Sequence, residues 1–556
     1  MPDHPEPTVI PLPDDFPIEW DPPEHVDLLF MQDRMHAPVP ITPLTGWLNS
    51  YPFADGANKG FATAGQPLMF VIRRYNTYYY FAIAPSIPPE QMEAAGRHAE
   101  ETLNKLLPTF GGRWDNEWLA EVKGILDYWS RFDLSAASDA ALLEHLDEAL
   151  KKYERLWDIH FIIAPPFLTG PSMFVDMYND LLEPDDPLEA YGLLYCDHNM
   201  SLEVGYALWE LSQKYIDIPA VAEPLRSGAA SEAVSEFAGT DEGRAFLSDL
   251  KEVLDQYGHR SDGIMEVADP SWTEDPGPAL TVIRENMSPN ATDPRADHDG
   301  MIRRRDDSIA AARSKISGYP QPVRDQFEFL LSAGQDGQRV QEDHNFWIDQ
   351  NGVHYMRQIF LELGRRLVSS SSVEGQGDVF YLVPDQIRSG LVGGADHTAL
   401  VAREKLEMER WAKVTPPPIV GTDHGPPPDN PVGTAISKFF GVPVAPSETP
   451  GEITGIAVSG GTVRGTARVI MNIREGERLK KGDILVAPTT APPWTPLFGV
   501  ASAVVTDTGG PLSHCGIVAR EYGIPCVGGT TIGTTAIKDG QQIEVDGTAG
   551  IVRILE

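Results

Sequence analysis

The sequence predicts a multidomain chain in which a large, mainly α-helical unit is followed by a small α/β domain. Three observations carry that reading. Apolar residues recur at helical spacing between cap residues over roughly the first 410 positions. Proline and glycine then crowd residues 413–450. From residue 451 onward, short apolar runs alternate with glycine turns, the rhythm of strand–turn–helix units.

Residues 1–16 are acidic and proline-rich and read as an extended tail. Residues 17–412 follow as the helical unit, with a hairpin near 67–84 formed by Leu68–Ile72 and Tyr78–Ile83. Pro88-Pro89 can open a helix that runs to Leu106. Ser138 can cap one whose stripe is Leu142, Leu143, Leu146, Leu150 and Tyr153. Thr240 starts another, with Phe246, Leu250, Val253 and Leu254 on one face and Gly258 at its end. Helical patterning also covers 188–215, 309–333, 353–368 and 397–413. Residues 413–450, with Pro416–Pro418 and Pro426–Pro428, read as a stiff extended linker. Residues 451–556 form the α/β domain.

With 556 residues and a formal charge of −37, the chain disfavours nucleic-acid and anionic-membrane binding. Cys196, Cys515 and Cys526 are too few for a disulfide framework or a thiolate zinc site, and no convincing metal-ligand set is visible. No secretory leader or membrane-length apolar run occurs, so the expected location is the cytoplasm.

The most informative stretch is Thr506–Pro525. Ala501–Val505 reads as a buried strand, Gly509-Gly510-Pro511 as a tight turn, Ser513 as an N-cap, and His514 as the first residue of a helix that stops at Gly523. A histidine there has free backbone N–H groups and the positive end of the helix dipole beside its ring. Neutral imidazole is nucleophilic near neutral pH and can carry a phosphoryl group. Gly509, Gly510, Ser513 and Arg520 are the candidate phosphate contacts, although Arg520 can equally pair with a surface carboxylate.

Together with Gly482–Pro488, Pro493–Phe498, Lys538–Gly540 and Glu544–Gly550, this stretch resembles the mobile phosphohistidine domain of the phosphoenolpyruvate-utilising enzymes. Cys515 replaces the alanine usual in that family, and Leu512 stands where some dikinases carry a regulatory threonine. The helical unit is similar to the acceptor-binding region of the rifampicin phosphotransferases at Tyr257–Ser261, Asp269–Pro276, Trp20–Pro23, Pro40–Leu44, Glu342–Phe346 and Asp378–Leu382. The resemblance implies a swivelling phosphohistidine domain, with His514 as phosphoryl carrier, serving an acceptor bound by the helical unit.

No Walker-type glycine loop occurs, and neither the family's ATP-grasp region nor its pyruvate-binding barrel is recognisable. A split arrangement of this kind resembles the two-component phenylphosphate synthase and hydroxyphenyl ketone kinase type enzymes. It implies a dikinase-type phosphotransferase subunit, an ATP-grasp partner that binds ATP and Mg2+, and a small aromatic hydroxyl compound as acceptor. Two alternatives remain open: an antibiotic-type phosphotransferase acting on another hydroxyl, and a noncatalytic phosphohistidine carrier. His259 and Arg260 are the first candidates for a base and a charge-stabilising cation, though such a pair can also cap the preceding helix. Glu342 and His344 come next, with a helix-surface ion pair as their structural explanation. His198 is a weaker candidate that also fits a satisfied core histidine. Met173, Phe174, Met177 and Tyr178 can line an aromatic pocket or simply pack in a core.

Overall fold

The computed structural model describes residues 7–227, 233–261, 263, 265–289, 291–425, 430–441 and 444–555. The helices follow the apolar periodicity closely where caps are strong. Thr240 accepts a hydrogen bond from the Gly243 amide at 3.0 Å and opens the helix Asp241–Tyr257. The stripe that begins at Leu142 belongs to a 44-residue helix, Asp139–Leu182.

Two expected helices are each divided, and local chemistry explains both breaks. The stretch 188–215 forms a 3-10 turn, Glu189–Leu194, and then the helix Met200–Tyr215. Asn199 separates them because its side-chain oxygen accepts from the Ser201 and Leu202 amides, at 3.0 and 2.9 Å, which makes it an N-cap. The stretch 309–333 is shared between Pro294–Lys315 and Gln321–His344. Pro320 divides them, since the residue before a proline is driven out of helical geometry.

The chain clusters into two compact units. One comprises Met1–Pro165, Gly263–Asp269 and Trp347–Pro428. Its sheet contains β1 (Thr8–Val9), β2 (Leu29–Gln32), β3 (Leu68–Tyr75), β4 (Tyr78–Pro85) and β5 (Ile419–Asp423), in the order β1-β5-β2-β4-β3 and antiparallel throughout. β3 and β4 are the expected hairpin, closed by Asn76 and Thr77, both at positive φ, the two-residue turn whose twist suits paired strands.

Sequence composition misled at this unit's edges. The expected extended tail and linker contribute β1 and β5 to the sheet, and Phe16 is fully buried. The Tyr78 hydroxyl donates to the carbonyls of Trp411 (3.1 Å) and Val414 (3.0 Å), and the Tyr80 hydroxyl to that of Pro417 (2.7 Å). Proline-rich chain supplies unpaired carbonyls, and buried tyrosine hydroxyls need acceptors, so 411–417 is tied down.

The other unit comprises Pro166–Asp262, Pro270–Phe346 and Asp429–Glu556. Its sheet contains β6 (Glu452–Thr454), β7 (Ile456–Ser459), β8 (Thr462–Val469), β9 (Ile484–Ala487), β10 (Ala503–Thr506), β11 (Cys526–Gly528), β12 (Gln542–Asp546) and β13 (Ile551–Ile554). The order is β6-β13-β12-β8-β9-β10-β11-β7, with β8 to β11 parallel. Ile484, Val486, Ala503, Val505 and Val527 are fully buried in its core, as continuous apolar runs in parallel strands should be.

The 413–450 segment contributes a second element here, the helix Pro431–Phe440, capped by the Asn430 side chain on the Gly433 amide. The turn before His514 seats directly on its last residues. The amides of Gly509, Gly510 and Leu512 donate to the carbonyls of Phe440, Phe439 and Lys438 at 3.2, 2.9 and 3.2 Å. A Cβ on Gly510 would lie 2.2 Å from the Lys438 carbonyl oxygen. Gly510→Ala is therefore expected to cost about 1–3 kcal/mol, measured as a lower urea midpoint.

Candidate active site

His514 opens the helix His514–Glu521 at the carboxyl end of β10. Gly509, with φ of +103°, makes the reversal that presents it. Ser513 occupies the N-cap position but makes no side-chain cap; its hydroxyl donates to the Gly510 carbonyl at 2.7 Å. The first-turn amides of this helix thus have no side-chain cap, the condition under which a helix start attracts an anion.

The imidazole is buried, at 9% exposure, and each nitrogen has a neighbour. Nδ1 lies 3.3 Å from Glu342 Oε1, and Nε2 lies 3.4 Å from Thr495 Oγ1. The Phe498 ring meets the imidazole edge-on at 6.2 Å. Thr495 and Phe498 come from Pro493–Phe498, so this sequence motif and the histidine motif form one site.

Glu342 arrives on the helix Gln321–His344 and is 2% exposed. Its second oxygen accepts from the Ser201 hydroxyl at 2.6 Å, and Ser201 sits in the first turn of the helix that Asn199 caps. Burial alone would push the Glu342 pKa up. The charge and hydrogen bond of His514, with the Ser201 hydroxyl and the charge of His344, outweigh burial and hold it below the usual carboxylate range. Glu342 is therefore a buried carboxylate in its charged form, not half of a surface ion pair. The neighbouring Asp343 accepts from the Met200 amide at 3.0 Å, and burial pushes its pKa up to about 6.

Arg260 is fully buried behind this carboxylate. It donates to the carbonyls of Met200 (3.0 Å) and Tyr257 (3.2 Å), and its guanidinium stacks 4.8 Å over the Phe346 ring. Desolvation pushes its pKa down to about 10, opposed mainly by the charge of Glu342. Its Nη1 has no hydrogen-bond partner among the described residues. The structure thus brings Arg260 and Glu342 into one charged environment next to His514. His259 is half-buried in the loop beside Arg260.

Of the remaining candidates, His344 lies two residues beyond Glu342 on the same helix, and the others lie elsewhere. His344 is buried, donates from Nδ1 to the Val340 carbonyl at 2.9 Å and stacks on Phe167. His198 is exposed and paired with Glu203 at 3.1 Å, which corrects its alternative reading as a core histidine. Phe174 and Tyr178 are core residues, and the Tyr178 hydroxyl donates to Glu189 at 2.6 Å. Met173 and Met177 instead line an open cleft of about 700 Å³ together with Asp176, Val323 and Pro431.

The phosphate-contact expectations also change. The Gly509 and Gly510 amides are engaged by the Pro431–Phe440 helix, because the tight turn packs on that helix's unsatisfied carbonyls. Arg520 spends its donors on the carbonyls of Val458 (2.8 Å) and Pro511 (2.7 Å) and lies 4.5 Å over the Tyr191 ring. It braces the turn under His514. Asn199, Ser201 and Thr495 escaped selection from sequence; for Asn199 and Ser201 the available signal was an Asn followed two residues later by Ser at a helix start.

Comparison with known proteins divides the site along its two halves. Residues 479–550 match the PEP-utilising enzyme mobile domain, and residues 167–342 match the rifampicin phosphotransferase fourth domain. His514 lies in the first segment; Asn199, Ser201, Arg260 and Glu342 lie in the second. The chain is 36% identical over 560 residues, 98% of its own length, to chondramide synthase cmdD of Chondromyces crocatus, of which it spans 14%. It is 28% identical over 75% of its length to the uncharacterized phosphotransferase YvkC of Bacillus subtilis, and 30% identical over 64% to rifampicin phosphotransferase of Streptomyces sviceus. It spans 50% and 40% of those two proteins. Through its two matched segments, this chain is similar to the mobile domain of the PEP-utilising enzymes and to the fourth domain of rifampicin phosphotransferase.

Proposed function

We propose that this chain is a phosphotransferase component in which His514 carries a phosphoryl group and passes it to the hydroxyl of a phenolic or other aromatic acceptor. The observation that carries the reading is the pairing of His514 Nδ1 with the buried carboxylate of Glu342, at a helix start whose Ser513 makes no side-chain cap. A carboxylate facing Nδ1 keeps the proton on that nitrogen, so the phosphoryl group rides on Nε2. In the transfer, the Nε2–P bond breaks and its electron pair returns to Nε2. The ring leaves as neutral imidazole because Nδ1 already bears a proton. A new P–O bond forms to the acceptor, whose hydroxyl proton passes to a base, for which His259 is our candidate. Arg260 balances the charge of Glu342 as phosphoryl oxygens approach.

For the phosphoryl donor our reading is ATP with Mg2+ on an ATP-grasp partner, as the likeness to the two-component enzymes implies. No described helix is long and apolar enough to cross a membrane. A second reading, transfer to an aliphatic hydroxyl of a bulky ligand, is favoured by the match to the rifampicin phosphotransferase fourth domain. Intact-mass measurement distinguishes them. The protein is incubated with ATP, Mg2+ and an ATP-grasp protein, then with phenols or with macrocyclic hydroxyl compounds. Gain of one phosphoryl group that a phenol removes supports the first reading, and removal only by macrocycles supports the second. Retention against every acceptor means a carrier without transfer activity.

A further inference from the structure

The helix that begins with His514 ends with Glu521, and both ends meet the same short segment. Ser201 holds Glu342, the partner of His514, while the Asn199 side-chain amide donates to Glu521 Oε1 at 3.2 Å. Asn199 is fully buried and Glu521 is 7% exposed. The second oxygen of Glu521 is buried and has no hydrogen-bond partner among the described residues. The adjacent Arg520 points its donors at the Val458 and Pro511 carbonyls rather than at Glu521, and its charge offsets the burial of the carboxyl only in part.

The groups facing Glu521 are Glu342 from the helix Gln321–His344, Tyr195 and Cys196 before Asn199, Tyr206 on the following helix, and Arg520 and Tyr522 on its own chain. Apart from Arg520, these are neutral or acidic at neutral pH. An ionised Glu521 would thus be a second buried negative charge near Glu342, with one amide as its hydrogen-bond support among the described residues.

We propose that Glu521 is a positioning residue for His514 that is seated against Asn199 as a neutral carboxylic acid, so that docking of the carrier helix takes up one proton. This rests on the carrier reading of His514, whose phosphoryl group would bring further negative charge to a site already holding Glu342. A neutral Glu521 anchors the far end of the helix without adding to that repulsion.

The pH dependence follows. Burial, with the charge of Glu342, pushes the seated carboxyl up to about 8. A released, solvated glutamate titrates at about 4.3. Between these values only the seated form holds the proton, so seating weakens by about tenfold per pH unit and levels off above pH 8.

Hydrogen exchange of the full chain, corrected for intrinsic rates, reads this in peptides covering 196–203 and 510–522. Wild type should lose protection in both between pH 5.5 and 8, whereas Glu521→Gln, isosteric and uncharged, should lack that slope. Asn199→Asp keeps the helix cap but sets a second carboxyl against Glu521; it should deepen the loss at pH 8.5 and recover when combined with Glu521→Gln. Equal slopes in wild type and Glu521→Gln would overturn the proposal, as would a wild-type profile that does not change with pH. Neither readout requires phosphorylation, so failure of His514 to accept a phosphoryl group would refute the carrier reading separately.

Discussion

Replacing His514 by alanine is expected to abolish phosphoryl acceptance outright, with no mass gain in the presence of ATP, Mg2+ and an ATP-grasp partner. The expectation is absolute because the proposed mechanism makes the imidazole the covalent carrier, and none of its neighbours can substitute. Thr495 and Ser201 offer hydroxyls rather than a nucleophilic nitrogen, and Glu342 is a carboxylate whose acyl phosphate would hydrolyse. The fold should survive. His514 contributes one side chain at the start of a short helix, and Glu342 keeps the Ser201 hydroxyl after the imidazole is gone. Circular dichroism and thermal unfolding of the variant check this. Phosphorylation of the alanine variant at any residue, followed by transfer, would sink the mechanism.

The second large effect concerns Glu342→Gln. The amide is nearly isosteric and can still accept from Nδ1, so His514 should remain phosphorylatable by the partner. Delivery should slow by about 10²–10⁴-fold, because the carboxylate that keeps Nδ1 protonated, and so makes imidazole a good leaving group, is lost. Single-turnover decay of the phosphorylated protein in the presence of a phenol separates the two steps. An unchanged decay rate would show that the Glu342 contact orients the helix without affecting the chemistry.

The sign of the wild-type pH response is also defined. The Glu342 pKa lies below the ordinary carboxylate range when His514 is seated. The stabilisation it lends is therefore complete above that range and fades only as acid protonates it through the lowered value. Glu342 and Glu521 consequently pull in opposite directions. Acid removes the first interaction, and rising pH through about 8 opposes the second.

Much of this arrangement could be read before the structure. The strand, glycine turn, histidine and helix at 501–523 are local features, set by backbone freedom at Gly509 and by apolar runs that only a buried strand accommodates. The same holds for the β3–β4 hairpin and the Thr240 cap. Where the sequence misled, a nonlocal contact decided. The tail and the proline-rich segment look extended by composition, yet pair as β1 and β5 because sheet edges and tyrosine hydroxyls elsewhere in the chain need their backbone groups.

The site divides in the same way. His514 was legible because its motif is contiguous. Glu342 was visible as a candidate, but only its burial against His514 and Ser201, 172 and 141 residues away, turned a surface-looking glutamate into a charged buried partner. Arg520 looked like a phosphate ligand because it follows the motif, and became a brace once its donors met the Val458 and Pro511 carbonyls. The sequence by itself determined the place of His514 at a helix start after a glycine turn, and the order of the two kinds of domain, because these depend on short-range backbone preference and apolar periodicity. Tertiary structure alone decided which carboxylate holds a charge, which carries a proton and which amides remain open, because those properties depend on burial and on neighbours distant along the chain.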